Sequence, residues 1–480
     1  MSDKLTLNDF LQALKRESTY GELFIDFHMV RRSDGVNISK YILSKGYYFE
    51  YDCIKKLWVE LSSIELINRI ENWTRVQSGI LARDQTNFKD LAEFYKVLDK
   101  VTKVKYLDGV VKSITSYIKD DDIFDKLDKI RPELLPIKGG RVINLQNKKV
   151  RERSISDYFT YECQVEPVEE YSDFFYEAMS SIMCDKEDRL EYFQKVMGYC
   201  LTGSKEAQSY FIWYGKGSNG KSLILNLLQA VLGKACSPIS KSVIVDCGKK
   251  GGNGSEMISL KDLRLGTFSE TNSNESLNEG MLKTISGGDK IRARALYKEE
   301  ISFELIVKLI VCTNQKPEFN GADHGTTRRI KLLPFEAKFV SKDPRKAKNE
   351  YRIIENLERT LIDQYLDEFF TFCLEGAVMW FNDKKFDKIP ACIKEQQDEY
   401  IAEQNSFGSW FSDFIKPNDG YKLDRAESWK SYFKVTDERG FKPLSKKDFF
   451  NKLNEECGKP MKTHGIFVYR NFTLIEEEDT

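Results

Sequence analysis

The sequence predicts an α/β fold in which a parallel sheet is preceded by a helical and mixed region and followed by a small C-terminal module. Between residues 209 and 335, strand-like apolar runs alternate with amphipathic helical segments, which is the pattern of parallel strands joined by helices. A glycine-rich loop stands between the first of these strands and the helix that follows it. The chain of 480 residues is too long for a single core, and roughly two to four domains are expected.

Residues 1–185 are predicted to form the helical and mixed N-terminal region. Apolar periodicity predicts four helices, at Asp9–Lys15, Ser62–Thr74, Phe88–Val101 and Val111–Lys119. The tyrosine-rich run Tyr47–Asp52 predicts a strand ahead of Trp58. Gly139-Gly140 lies between two apolar runs, which predicts a turn into a strand.

Residues 186–340 are predicted to hold the core sheet, with strands at Tyr210–Tyr214, Leu263–Ser269 and Leu305–Thr313. Residues 341–408 are charge-rich and helical, and they are expected to form a lid or linker.

Residues 409–480 contain short helices and then two apolar runs, Gly465–Val468 and Phe472–Ile475. These runs predict a hairpin that turns at Arg470-Asn471. Helices followed by a terminal hairpin indicate a winged helix.

Composition limits the classes of function. The net charge is −1, so any contact with nucleic acid must come from local basic elements rather than from a positive field over the whole protein. The ten cysteines contain no CxxC pair, which favours reduced thiols over zinc binding or disulfides. No stretch approaches the roughly 18 consecutive apolar residues of a membrane span. We therefore expect a soluble intracellular protein, in the cytoplasm or nucleus, without membrane contact.

The glycine-rich loop carries the strongest chemical signal. Residues 215–222 satisfy GxxxxGK[ST], an arrangement in which backbone N–H groups cradle phosphates at a helix N-terminus. Lys221 is expected to reach the β- and γ-phosphates of ATP, and the Ser222 hydroxyl is expected to ligate Mg²⁺. A glycine turn with an incidental lysine is the alternative, but the preceding strand and following helix favour phosphate binding. The candidate nucleotide-binding residues are Gly215, Gly217, Ser218, Asn219, Gly220, Lys221 and Ser222.

Two polar residues follow later strands of the predicted sheet. Glu270 ends the strand that begins at Leu263, where a carboxylate can hold Mg²⁺ and activate water. Asn314 ends the next strand, where an amide can orient the attacking water or contact the γ-phosphate. Asn314 also fits the start of a turn, and the two interpretations are compatible.

Adjacent arginines, Arg328 and Arg329, lie beyond that strand. Such pairs usually solvate a surface, but in an oligomeric ATPase one arginine can stabilise transition-state charge in the neighbouring subunit's site. The sequence leaves open which of the two has this role.

These motifs together resemble a superfamily 3 helicase, of the kind found in the primase-helicases of poxviruses, other large DNA viruses, phages and plasmids. The resemblance covers about residues 45–478. The resemblance is strongest in six segments: 192–203, which precedes the core, the loop 217–222, Phe268–Thr271, Leu282–Arg294, Cys312–Asn314 with Pro317, and the segment from Arg328 to Phe335.

The resemblance implies an AAA+-like P-loop NTPase core that hydrolyses ATP between the subunits of a ring, expected to be a hexamer. The implied activity is 3′ to 5′ translocation on single-stranded or forked DNA, in the replication of a viral or mobile element, with a primase or polymerase as a further partner. Many members have two adjacent acids where this chain has Ser269 and Glu270. Glu270 is therefore expected to act mainly as the base, with Ser222 the firmer of the two predicted metal ligands.

A hairpin between Glu270 and Asn314 is the predicted contact with DNA, with strands Ile291–Leu296 and Ile301–Leu305. The resemblance places Lys298 at a tip that tracks the DNA backbone, with Tyr297 able to stack on a base. Lys290, Arg292 and Arg294 lie nearby. The winged helix could contact duplex DNA or a protein partner, and both options stay open.

Three rivals to the helicase hypothesis are considered. An AAA+ ATPase could load or melt DNA at an origin without processive unwinding. A DNA-binding scaffold could retain a degenerate ATP site, although the intact lysine, serine and glutamate disfavour this. A protein-remodelling ATPase is disfavoured by the basic hairpin.

Overall fold

The computed structural model describes residues 7–31, 36–83, 88–129, 131–245, 254–269, 276–294, 300–317, 319, 324–441 and 443–475. The chain forms two compact units. The first contains the residues up to Glu166 together with Leu232–Lys234 and Lys290–Glu304, and the second contains the rest.

The first unit mixes helices with small antiparallel sheets. Its helices are Leu7–Leu14, Glu17–Phe27, Ser63–Arg83, Phe88–Val101, Val104–Ile118 and Ile123–Lys126. Its strands are Met29–Arg31, Asn37–Ser39, Tyr41–Ser44, Tyr47–Asp52, Leu57–Leu61, Leu134–Ile137, Arg141–Asn144, Val150–Glu152, Lys290–Arg294 and Glu300–Glu304. The helices bury an apolar core around Tyr20, Phe24 and Trp73.

Two local predictions for this unit are confirmed. The strand Tyr47–Asp52 forms with the expected bounds. Gly139 and Gly140 have φ angles of +78° and +68°, and they turn the chain between the paired strands Leu134–Ile137 and Arg141–Asn144. Such angles favour glycine because a Cβ atom is disfavoured there.

The second unit carries the remaining elements. Its helices are Asp173–Ile182, Glu187–Leu201, Lys221–Leu232, Lys241–Ile244, Gly254–Ile258, Glu279–Gly287, His324–Thr327, Leu357–Gln364, Leu366–Asp383, Ala391–Gln404, Ser406–Phe414, Arg425–Glu438 and Lys446–Cys457. Its strands are Tyr210–Tyr214, Cys236–Pro238, Leu265–Ser269, Lys308–Thr313, Ile330–Pro334, Lys338–Val340, Glu350–Arg352, Ile415–Asp424, Met461–Thr463 and Ile466–Leu474.

A parallel sheet of five strands forms the centre of the second unit, and the predicted parallel arrangement is confirmed. In chain order its strands are the first (Tyr210–Tyr214), second (Cys236–Pro238), third (Leu265–Ser269), fourth (Lys308–Thr313) and fifth (Ile330–Pro334). Their order across the sheet is second, third, fourth, first, fifth. Every residue of the fourth strand is buried, as expected where helices cover both faces of a parallel sheet.

Two helices next to this sheet pack unusually closely. Helix Glu187–Leu201 crosses helix Leu366–Asp383 at Gly198 and Gly376, and a Cβ atom at either glycine would collide with backbone atoms of the other helix. Glycine is therefore required at both positions for this packing distance.

The last part of the second unit runs helix, strand, helix, helix, strand, strand from Ser406 to Leu474. We call this part the C-terminal module. Its three strands form one antiparallel sheet with Ile466–Leu474 in the middle. Trp410, Tyr432 and Phe449 are fully buried in its core.

The predicted terminal hairpin is wrong in its turn. Ile466–Leu474 is one continuous strand through Arg470 and Asn471, and Arg470 pairs with Lys422. The chain turns instead at His464-Gly465, where both φ angles are positive, at +49° and +87°. Asn471 has a φ of +63° because it faces an irregularity in the pairing between Pro417 and Lys422.

Among the described residues, no helix is both long enough and apolar enough to cross a bilayer.

Candidate functional site

The glycine-rich loop joins the first strand of the sheet to helix Lys221–Leu232, as predicted. The loop is anchored to neighbouring segments through backbone groups. The Gly215 N–H donates to the Thr313 carbonyl at 3.3 Å, and the Phe339 N–H donates to the Ser218 carbonyl at 2.8 Å. The Asn219 amide donates to the Phe335 carbonyl at 3.2 Å. The ends of the first, fourth and fifth strands therefore hold the loop in place.

Two glycines allow the loop its shape. Gly217 and Gly220 have φ angles of +94° and +88°, which are strained for any residue with a Cβ atom. A Cβ atom on Gly220 would also lie 3.0 Å from the Ile182 side chain. Substitution of Gly220 would therefore disturb both the backbone and the packing on Ile182.

The loop has N–H groups available for an anion. Within the described part of the chain, the backbone N–H groups of residues 218–222 donate to no other protein group. These groups precede or begin helix Lys221–Leu232, whose N-terminus adds a partial positive charge. A row of free N–H groups at a helix N-terminus suits phosphate oxygens, so the loop fits the polyphosphate of a nucleotide.

Lys221 and Asn314 meet at this loop. The Lys221 ammonium donates to the Gly215 carbonyl at 2.5 Å and to the Asn314 side-chain oxygen at 3.3 Å. Asn314 directly follows the fourth strand, which pairs with the first strand. Burial lowers the pKa of Lys221 from its usual value, because a buried ammonium loses hydration. An anionic ligand would favour the charged form.

A cavity of about 560 Å³ opens beside the loop. Gly217, Ser218, Asn219, Gly220, Lys221, Ser222 and Asn314 line one part of it. The rest of the wall is mainly apolar and comes from Ile182, Phe339, Ile353, Ile354 and Leu357. These residues were not predicted, because they come from separate segments and none lies in a recognisable motif. Volume and lining suit a nucleotide with its phosphates on the loop.

The predicted acid lies outside the described residues. Glu270 directly follows the third strand, which ends at Ser269. Ser269 pairs with Cys312 on the fourth strand, one position before the end of that strand at Thr313. Glu270 therefore stays a prediction, and so does metal binding by Ser222, which lines the cavity.

The two arginines have different surroundings. Arg328 is exposed, and its only described side-chain hydrogen bond is a long one, 3.5 Å from the Gln208 side-chain oxygen. Arg329 is half-buried and donates to the Gly325 carbonyl at 2.6 Å within the same chain. Of the two described side chains, Arg328 is therefore the one that can contact another molecule without breaking a short hydrogen bond.

The predicted hairpin forms, and it groups with the first unit. Lys290–Arg294 pairs antiparallel with Glu300–Glu304. Lys290, Arg292 and Arg294 are all exposed. The tip residues Tyr297 and Lys298 lie outside the described residues. The structure thus places three of the five predicted DNA-binding residues on one exposed face of the hairpin.

Helix Ala391–Gln404 contacts the segment after Asn314, which the sequence did not predict. The Tyr400 hydroxyl donates to the Pro317 carbonyl at 2.6 Å, and the Phe319 N–H donates to the Gln404 side-chain oxygen at 2.9 Å. The Leu332 N–H of the fifth strand donates to the Gln397 side-chain oxygen at 3.0 Å. Gln397 shares a helix face with Ile393 and Tyr400, and this spacing was the available signal, since a glutamine on a buried face needs a partner.

The chain is similar in sequence to several viral proteins. A sequence model described as a family of unknown function, DUF5906, matches residues 213–329. A protein of Acanthamoeba polyphaga mimivirus named "putative helicase" is 28% identical over 334 residues, which is 64% of this chain and 34% of that protein. A "putative helicase" of Invertebrate iridescent virus 3 is 26% identical, over 52% of this chain and 27% of that protein. A "putative primase" of African swine fever virus is 25% identical, over 56% and 30%.

The chain spans about a third of the length of these curated relatives. A solved structure, the C-terminal region of NrS-1, aligns over 95% of this chain and 100% of that one, with 10% identity and a TM-score of 0.47. The family match begins inside the first strand and ends at Arg329. It therefore includes the loop, Glu270, the hairpin, Asn314 and both arginines.

Proposed function

We propose that this protein is an ATP-dependent DNA helicase of superfamily 3 that serves the replication of a viral or mobile element. The observation that carries the proposal is the contact of Lys221 with Asn314 at a loop whose N–H groups at residues 218–222 donate to no described protein group, beside a cavity of about 560 Å³. The similarity to viral proteins named as helicases and a primase supports the same conclusion.

ATP, with Mg²⁺, would supply the phosphoanhydride bond whose hydrolysis drives movement. In the proposed site, the N–H groups of residues 218–222 and the Lys221 ammonium bind phosphate oxygens. The Ser222 hydroxyl holds the metal, and Glu270 accepts a proton from the attacking water. The Asn314 side-chain oxygen is 3.3 Å from the Lys221 ammonium, so the amide lies at the phosphate-binding loop, where it orients that water or contacts the γ-phosphate.

We propose that the ATP site lies between subunits of a ring hexamer. Arg328, as the exposed member of the pair, is the arginine supplied to the neighbour, where it stabilises charge in the transition state. The hairpin face with Lys290, Arg292 and Arg294 contacts single-stranded DNA, and translocation proceeds 3′ to 5′. The order of elements in the C-terminal module supports a winged helix, and a primase or polymerase is a further partner.

Strand displacement on forked DNA with ATP and Mg²⁺ tests the proposal directly. Lys221→Ala removes the phosphate-binding ammonium, and Lys216→Ala is its matched control, because Lys216 belongs to the same loop but is exposed. We expect unwinding and ATPase activity to be lost in the first variant and kept in the second.

Two other results would assign other functions. ATP hydrolysis stimulated by single strands, without unwinding, would favour an ATPase that loads or melts DNA. DNA binding without hydrolysis, from a well-folded wild-type protein, would contradict the motor and favour a scaffold.

A further inference from the structure

The hairpin has two chemically different faces. Ala293, Ile301 and Phe303 are buried, whereas Lys290, Arg292 and Arg294 on the alternate positions are exposed. The hairpin belongs to the first unit, in which the Lys129 ammonium lies 5.6 Å from the centroid of the Phe303 ring. A two-stranded hairpin is marginally stable by itself, so contacts with the rest of this unit are needed to give the hairpin a defined position.

Lys45 joins the hairpin to the body of the first unit. It lies in the turn between strands Tyr41–Ser44 and Tyr47–Asp52, with a φ of +46°. Its ammonium is 2.8 Å from both carboxylate oxygens of Asp125 and donates to the Ser302 carbonyl at 3.2 Å. One ammonium therefore bridges a helix of the body and a strand of the hairpin.

The Lys45 bridge lies at the edge of a cavity. A cavity of about 510 Å³ lies between the hairpin and the body, lined by Lys45, Lys119, Asp121, Glu300 and Ser302 among others. The Lys45 N–H donates to the Asp121 carboxylate at 3.1 Å, which fixes the turn that presents the ammonium. Beside this cavity, the hydrogen bond from the Lys45 ammonium to the Ser302 carbonyl is a direct contact between the body and the hairpin.

We propose that Lys45 is a positioning residue that holds the hairpin on residues 36–129, so that the hairpin and this body move as one element when DNA is translocated. This inference rests on the proposed helicase function. The chain passes from the end of the hairpin at Glu304 to the start of the fourth strand at Lys308, and that strand leads directly to Asn314. A hairpin released from the body would absorb a displacement of this strand instead of passing it to DNA.

The test compares Lys45→Met with Lys45→Arg and Lys56→Met in the full chain. Arginine can keep both hydrogen-bonding partners of Lys45, which makes it the rescue variant. Lys56 is a matched control, because it also has a positive φ, of +53°, and its ammonium pairs with Glu152 in the same unit. Hydrogen exchange at Lys290–Glu304 measures docking, and strand displacement per ATP hydrolysed measures coupling.

In Lys45→Met we expect hairpin amides to exchange faster, by about tenfold, and displacement per ATP to fall by about fivefold or more. ATP hydrolysis stimulated by single-stranded DNA should stay within about twofold of the wild type, and both controls should behave like the wild type.

Two results would overturn the inference. The first is unchanged hairpin exchange in Lys45→Met, and the second is faster exchange with displacement per ATP intact. A wild-type protein without ATPase activity would instead contradict the proposed function, and the exchange measurement would still decide whether Lys45 holds the hairpin.

Discussion

Arg328 and Arg329 are neighbours in sequence, yet their side chains have different chemical surroundings. Arg329 donates a 2.6 Å hydrogen bond to the Gly325 carbonyl. Burial raises the pKa of Tyr210, and the nearby charge of Arg329 opposes this rise. Arg328 is exposed. From the sequence alone, either arginine could be the one that acts in a neighbouring subunit of the proposed ring. The surroundings of the two side chains favour Arg328 for this role.

Substitution of each arginine by alanine separates their roles. We expect Arg328→Ala to lower the rate of ATP hydrolysis by about a thousandfold or more, the size of effect that an arginine finger has in P-loop GTPases. Nucleotide affinity and melting temperature should be unchanged. Arg329→Ala should lower the melting temperature, because it removes a hydrogen bond inside the subunit. Steady-state ATPase assays and thermal melts measure both quantities.

Mixed oligomers provide the control for action between subunits. A mixture of Lys221→Ala and Arg328→Ala subunits contains sites that combine an intact Lys221 with a neighbour's intact Arg328. Such a mixture should recover part of the activity that each variant lacks alone. Loss of hydrolysis in Arg329→Ala at an unchanged melting temperature, with Arg328→Ala active, would reverse the assignment.

At the scale of elements, helix Ala391–Gln404 completes the edge of the central sheet. The fifth strand pairs only with the first among the described strands, so its outer backbone groups need other partners. Gln397, which is 6% exposed, accepts the Leu332 N–H. The same helix binds the segment after Asn314 through Tyr400 and Gln404, so one helix supports both the sheet edge and the end of the fourth strand.

Gln397→Leu tests this support with a side chain of similar size. The variant leaves the buried Leu332 N–H without its acceptor, at a cost of about 1–3 kcal/mol. We expect a melting temperature lower by about 2–8 °C for the unit that contains the sheet. Glu395→Ala on the exposed side of the same helix is the control and should stay within about 0.5 kcal/mol of the wild type. An equal decrease in both variants would mean that loss of the hydrogen bond to Leu332 is not responsible.

The sequence predicted long, apolar elements better than short ones. The first strand, Tyr210–Tyr214, formed with the predicted bounds because five consecutive apolar residues precede a glycine loop. The strands Cys236–Pro238 and Ile330–Pro334 were missed. The first has only three residues, and the second follows the arginine pair, whose polarity obscures its start. The turn of the terminal hairpin was predicted at Arg470-Asn471 because these residues have the composition of a turn. The chain turns at His464-Gly465 instead.

Prediction of the site followed the same division. The loop and Asn314 could be brought together from sequence, because the carboxyl ends of parallel strands meet at one edge of a sheet. The apolar wall of the cavity, which includes Ile182 and Leu357, could not be predicted from sequence, since it depends on how distant segments pack. The grouping of the hairpin with the first unit was also beyond sequence reasoning, because its buried face shows the same alternation that any half-buried strand has.

For the whole molecule, a net charge of −1 means that the proposed contact with DNA depends on local arrangements of charge. On the exposed face of the hairpin, Lys290 stands opposite Glu304 and Arg294 stands opposite Glu300. Arg292 stands opposite Ser302. Opposite charges directly across a pair of strands partly neutralise one another. Arg292 is therefore the described basic residue on this face whose charge is least offset.

This balance predicts unequal effects of three substitutions on the binding of single-stranded DNA. Arg292→Ala should weaken binding most and reduce the slope of log affinity against log salt by about 0.7 for each phosphate that is no longer neutralised. Lys290→Ala and Arg294→Ala should have smaller effects, because each of these cations faces a glutamate across the strands, which competes with a DNA phosphate for its charge. Titrations by fluorescence anisotropy at several salt concentrations measure both the affinity and the slope.

The C-terminal module provides the contrasting case, because Lys462 and Arg470 lie on its strands and could contact duplex DNA. If the hairpin holds the track, Lys462→Ala with Arg470→Ala should leave single-strand affinity and its salt slope unchanged, whereas affinity for the duplex arm of a fork should decrease if the module contacts it. Loss of single-strand binding in that double variant, with Arg292→Ala behaving like the wild type, would move the DNA track from the hairpin to the module. In a protein with almost no net charge, the salt slope thus identifies which local cluster of cations meets the phosphates.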